Sequence, residues 1–245
     1  MKRLTQFALM LLMLALSLPV AGGPPKKIEA GDGPPEKLSD LYKLLTLNLR
    51  KGLSPDLVVW PIRLTGRATE IIDNGLFYEV EMTLKPFDMQ GLNFEKGEIF
   101  IKKMTVDKAA LDKWDLKVLE FREVQTRLIF TLRSLEKKLS AGGEVKLRAD
   151  SAERIVEMKG QGRLVGIPLA CEVRAGLRWD EKARKLYLEP KEVRYAGFKL
   201  PSWLWWLGRN LAPEEPILDL SATWVPLNIQ EIYVGWDRIN LSTNW

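Results

Sequence analysis

The chain has 245 residues, 46% of them hydrophobic, and a formal charge of +5 with basic and acidic residues interspersed along its length. That balance fits a folded chain with a real core and excludes a nucleic-acid binder, which needs a concentrated basic face. There is no histidine and one cysteine, Cys171, which excludes an intrachain disulfide, His-dependent nucleophiles and His-ligated zinc.

Lys2 and Arg3 precede an uncharged apolar run, Phe7–Val20, and the small residues Ala21, Gly22 and Gly23 follow it. This is the layout of a secretory signal, and the run is shorter than the roughly 20 apolar residues of a membrane span. Residues 1–22 are therefore expected to be a signal peptide cut after Gly22, with an uncleaved anchor as the alternative. No cysteine stands near that cut for lipid attachment. Residues 23–37, rich in Gly, Pro and Lys, read as a solvated linker, and 38–245 as a single β-rich domain.

Ser39 is a candidate helix cap, with Leu38, Leu41, Tyr42, Leu45 and Leu49 at helical spacing up to Gly52. This helix either packs on the core or lies against lipid. From Val58 the apolar period changes to two. Strands are predicted over Val58–Ala68, Leu76–Leu84 and Glu98–Val106, with Asp73-Asn74-Gly75 as a hairpin turn between the first two. Lys108–Trp114 reads as a short helical turn. Leu116–Phe130 reads as a strand whose phase slips near Glu120. Thr131–Leu139 reads as a helix with Leu132, Leu135 and Leu139 on one side, stopped at Gly142-Gly143.

Strands resume at Glu144–Arg148, Arg154–Lys159, Gly162–Leu169, Cys171–Trp179 and Leu186–Tyr195, with a charged turn over Asp180–Lys185. Three more, Ile217–Val225, Leu227–Val234 and Arg238–Ser242, are predicted to close the chain, with Gly235-Trp236-Asp237 as the last turn. The fold class is α+β, dominated by antiparallel strands.

No catalytic constellation rises above background. Acidic residues mostly neighbour Lys or Arg, as solvated faces do, and Gly160-Gln-Gly162 with Gly166 lacks the Lys-Ser/Thr ending of a phosphate loop. Cys171, in the run Ile167-Pro-Leu-Ala-Cys171, is expected to be a buried small hydrophobe. Neither an enzyme nor a cofactor or metal is expected.

The informative feature is aromatic. Three of the nine Trp fall in four residues, Trp203, Trp205 and Trp206, among Leu200, Leu204 and Leu207 and before Arg209. On an α-helix opened by Pro201, Trp203 and Leu207 share a face and Trp205 points away. Tryptophan suits the lipid–water boundary, its ring being apolar and its N–H polar. The candidate contact set for lipid or a partner is thus Trp203, Leu204, Trp205, Trp206, Leu207 and Arg209. A plug in the core is the competing reading.

The segments Phe130–Leu139, Pro190–Pro201 (Pro-Lys-Glu-Val-Arg-Tyr-Ala-Gly-Phe-Lys-Leu-Pro) and Trp224 to Ile239 together resemble the LmeA-like phospholipid-binding family. The likeness spans about residues 55–243. It implies a strongly curved antiparallel sheet wrapped around one or two helices, akin to tubular lipid-binding proteins, and binding of phospholipid in the cell envelope without catalysis. The expected partners are phospholipid or a membrane surface, in a periplasmic or other extracytoplasmic place. An envelope assembly factor whose aromatic patch binds a protein is the alternative.

Overall fold

The computed structural model describes residues 34–65, 67–140, 144–164, 167–208, 212–223, 225, 227 and 229–243. The expected signal peptide and most of the linker lie outside these residues. The last linker residues are not wholly solvated, since Pro35 is buried beside a depression that Thr69, Ile72 and Lys108 also line.

Helix α1 (Leu38–Gly52) buries Leu41, Leu44, Leu45 and Leu49 almost completely, so its apolar stripe belongs to the core and is not free for lipid. Its cap differs from expectation. Lys37 is the N-cap and Ser39 lies inside the first turn. The Asp40 carboxylate accepts from the backbone N–H groups of Glu36 and Lys37, satisfying donors that the helix start leaves open. At the other end the Arg50 Nε donates to the Leu57 carbonyl at 2.8 Å.

The strands of the first half form one antiparallel sheet. Strands β1 (Val59–Thr65), β2 (Leu76–Leu84), β4 (Leu92–Val106) and β5 (Val118–Thr131) lie side by side, and β3 (Phe87–Met89) pairs with β4. The sequence reading of β2 holds to the residue. The hairpin expected between β1 and β2 does not form. A two-turn helix, α2 (Ala68–Asn74), connects them, and Gly75 (φ 62°) is its left-handed cap, so the Asp-Asn-Gly signal stops a helix instead of turning a strand. After α3 (Lys108–Leu111), the phase slip read near Glu120 is a β-bulge: Thr105 pairs with Glu120 but Val106 pairs with Val118, which leaves Leu119 exposed.

Thr131 caps helix α4 (Leu132–Leu139), its Oγ1 accepting from the Ser134 N–H at 3.1 Å. Leu132, Leu135 and Leu139 are buried, as their spacing predicts. The expected Gly142-Gly143 stop lies outside the described residues. Helix α4 carries the chain into a second antiparallel sheet in the order β10-β9-β8-β7-β6. Its strands are β6 (Val145–Asp150), β7 (Ile155–Leu164), β8 (Ile167–Asp180), β9 (Lys185–Tyr195) and β10 (Phe198–Lys199). A separate strand over Gly162–Leu169 is not found. Gly162–Leu164 ends β7 and Ile167–Leu169 begins β8, and the two strands pair as far as Leu164 with Ile167. Of the expected strand Ile217–Val225 only β11 (Leu218–Asp219) forms, paired with β9. The chain then returns to the first sheet, where β13 (Arg238–Ser242) pairs with β5 and β12 (Glu231–Val234) forms the edge.

The two sheets and α1 share one buried apolar cluster, which includes Phe94, Phe130, Val173, Leu186 and Val193. Phe94 stacks on Phe87 with centroids 5.0 Å apart and meets Phe130 tilted at 5.4 Å. The architecture is therefore α+β and sheet-dominated, but built of two open sheets where one wrapped sheet was expected; neither closes into a barrel.

Truncating Leu44, wholly buried on α1, to Ala should cost about 2–5 kcal/mol of unfolding free energy, read as a lower urea midpoint. Thr131→Ala should cost about 1 kcal/mol through the lost cap of α4, with the denaturant slope unchanged.

Candidate functional site

Strand β9 ends at Tyr195, and Ala196 (φ 47°) and Gly197 (φ 84°) turn the chain in two residues into β10. Two successive positive φ values are the signature of the hairpin turn that matches strand twist. Phe198 follows and is 76% exposed. Across the turn, Arg194 Nε and Lys199 Nζ converge on the Glu192 carboxylate at 2.6 and 2.8 Å. The Lys199 and Arg194 hydrogen bonds hold that carboxyl below the usual range.

Ser202–Gly208 then forms a 3₁₀ helix, whose first turn is closed by the Leu204 N–H donating to the Pro201 carbonyl at 2.9 Å. It packs across β9, β8 and β7. With three residues per turn in place of 3.6, Trp203 and Trp205 still lie on different faces, and packing decides which is buried. Trp203, expected to share a face with Leu207, is 74% exposed. Trp205, expected to point away, packs against the core with Leu204, and its Nε1 donates to the Leu200 carbonyl at 3.1 Å. The structure thus divides the predicted set: Leu204 and Trp205 anchor, Trp203 projects. The side chains of Trp206 and Leu207 and the whole of Arg209 lie outside the described residues.

Register fixes where this segment sits. The β9–β10 turn and the β7–β8 turn lie at the same end of the second sheet. There β7 and β8 continue beyond the last β8–β9 pair, Cys171 with Tyr195, and the sequence Leu164 to Ala170 carries no charge. The opposite end is made by Asp150–Ile155 and Asp180–Lys185, both charged turns. The sheet is therefore polarised along its strands. Across its outer face the charges alternate in register: Glu157, Arg174 and Glu192 form one row, and Lys159, Glu172 and Arg194 the next. Arg174 also binds Asp150 and Glu153.

Sequence reasoning missed Phe198. The signal was present, since Ala-Gly between two aromatic strand residues marks a two-residue turn that must carry its neighbour to the tip. It also passed over Trp236, in the turn between β12 and β13. That ring is 79% exposed between two depressions, which Arg148 and Arg133 line respectively.

Cys171 is buried beside Tyr195, and burial pushes its thiol up to about 11. Among the described residues no three His, Cys, Asp or Glu converge as a metal site, and no helix is long and apolar enough to cross a membrane. Comparison with protein-family models, curated proteins and solved structures finds no match.

The raised thiol pKa makes Cys171 a poor nucleophile, because the thiolate is the reactive form. Iodoacetamide at pH 8 should alkylate it roughly 10²-fold more slowly in the folded protein than in urea, as followed by intact mass.

Proposed function

We propose that this chain is an exported cell-envelope protein that docks on a phospholipid membrane surface through the aromatic end of its second sheet, where Phe198 and Trp203 stand, and carries out no chemistry there. The observation that carries the reading is the coincidence of exposed Phe198 and the Trp203 segment at the end of the second sheet where β7 and β8 run on to the pair Leu164–Ile167. Scattered apolar residues are normal on a surface, but contiguous ones mark interaction sites. Aromatic rings with a polar edge favour the head-group region, and Lys199 and Arg194 beside them suit anionic head groups. The likeness to the LmeA-like phospholipid-binding family points the same way, as does the export signal expected over residues 1–22.

A surface contact is favoured over a lipid enclosed between the sheets. The inner faces are filled by Leu41, Leu44, Phe94, Phe130 and their neighbours, and a depression of about 580 Å³ on the first sheet has walls of mixed character, with Glu81, Glu98 and Arg127 among them.

Trp236 supports a second reading, an envelope assembly factor. Its ring stands near the charged turn of Asp150–Ile155, away from the end that carries Phe198. Exposed Trp flanked by Arg is the usual composition of a protein hot spot.

The test is co-sedimentation with phosphatidylglycerol–phosphatidylethanolamine vesicles. Burying two aromatic side chains is worth about 1.5–3 kcal/mol each, so Phe198→Ser with Trp203→Ser should weaken binding at least roughly 10²-fold while leaving the melting temperature unchanged. Undiminished binding by the double variant, or no binding by the parent chain, would overturn the membrane reading. Trp236→Ser should leave vesicle binding intact.

A further inference from the structure

We propose that the concave outer face of the first sheet binds a neutral saccharide two or three sugar rings long. The site is independent of the aromatic end of the second sheet.

The depression measures about 580 Å³ and crosses four strands, β2, β4, β5 and β13. That volume lies within the usual range of ligand sites, and three inter-strand steps give a span of about 14 Å, the length of a di- or trisaccharide. Its shape follows from the backbone. Strand β4 is bulged between Phe94 and Lys96 and takes a left-handed residue at Lys103 (φ 50°), and these irregularities bracket the stretch that floors the groove.

Register sets the walls. Glu81, Phe100 and Gln125 pair in one row across β2, β4 and β5. Thr83, Glu98, Arg127 and Ser242 make the next row, which reaches β13. The half-buried Phe100 ring is the only aromatic group lining the groove among the described residues. Around it stand the Glu81 and Glu98 carboxylates, which accept, and the amides and hydroxyls of Gln125, Asn240, Thr83 and Ser242, which both donate and accept. This is the complement of a sugar ring, which has an apolar C–H face and a rim of hydroxyls.

Charge decides the ligand class. Glu98 is paired with Lys96, and the remaining Glu81 carboxylate and Arg127 guanidinium are of opposite sign. The groove therefore has no net charge to attract a phosphate, an acidic glycan or a polycation. Asn240 stands on the same wall and adds a side-chain amide to the rim.

The full mature chain should be screened on an array of neutral and acidic oligosaccharides. Saturation-transfer NMR with maltotriose, cellotriose, mannotriose and chitotriose would follow. Binding of at least one neutral oligosaccharide is expected. Glu81→Gln and Gln125→Ala, both surface changes, should each weaken it roughly tenfold, the effect of one lost hydrogen bond, and Phe100→Leu should weaken it further. Trp203→Ser should leave it unchanged, which separates this site from the membrane contact. The proposal is overturned if no neutral saccharide binds at millimolar concentration. It is equally overturned if acidic glycans are preferred, or if the groove variants bind as the parent does.

Discussion

Everything in this molecule depends on covering two apolar sheet faces. Neither sheet is closed, so each presents one face that water cannot be allowed to reach. The solution is mutual. Helix α1 contributes Leu41, Leu44, Leu45 and Leu49, and the two inner faces contribute the rest of a shared cluster. With no disulfide available, packing of this kind is what holds the chain. Polar groups add to this at the helix ends and at the joints between sheets. The Gln90 amide exchanges two hydrogen bonds with the Asp219 backbone, at 2.6 and 2.8 Å, and so ties a turn of the first sheet to β11 of the second. Lys138 of α4 donates to the Gln90 carbonyl, which adds the connecting helix to the same joint.

A filled interior moves function outward. Among the described residues the inner faces are packed with side chains, and the depressions lie on the outer faces and beside the turns. The two sheets differ there. On the second, the outer face is tiled with ion pairs, Arg174 with Glu157 and Lys159 with Glu172, while one end exposes the aromatic rings of Phe198 and Trp203. On the first, the ends are ordinary, and the outer face is concave and carries a polar groove. Such surface ion pairs add little to stability, but they neutralise a face and so decide what it does not attract.

What could be read in the sequence was local, and what could not was a matter of context. Strand β2 and helix α4 were legible because their periodicity is clean and their caps are short-range. The bulge at Leu119 was legible because an added residue shifts the apolar phase. Helix α2 was not, since Asp-Asn-Gly serves a hairpin or a helix stop equally well, and only the φ of Gly75 distinguishes them. The join of β7 to β8 was hidden by a run with no polar turn residue. The segment after Pro216 is apolar because its residues fill the core as irregular chain, Ile217, Leu220 and Val225 being buried without a continuous ladder. The groove left no signal, because alternating Glu81, Thr83 and Glu98 look the same on a flat solvated face. The resemblance to tubular lipid-binding proteins anticipated antiparallel strands with few helices, but not their division into two sheets.

The aromatic segment shows that anchoring, and not composition, decides which ring is exposed. Trp203 and Trp205 lie on different faces of the short helix, so only one can pack inward. The choice is held in place by hydrogen bonds: the Trp205 N–H is tied to the Leu200 carbonyl, and Leu200 is itself bonded to Val193 of β9. Trp203 cannot be drawn inward without breaking that anchor and unpacking Leu204. Phe198 is fixed in the same way, by a two-residue turn that pairs it with Tyr195 at the end of β9. Both rings are therefore exposed by rigid backbone and not by fraying. A rigid exposed aromatic gives up little conformational entropy when it meets a surface, which is the condition for a few side chains to anchor a whole domain.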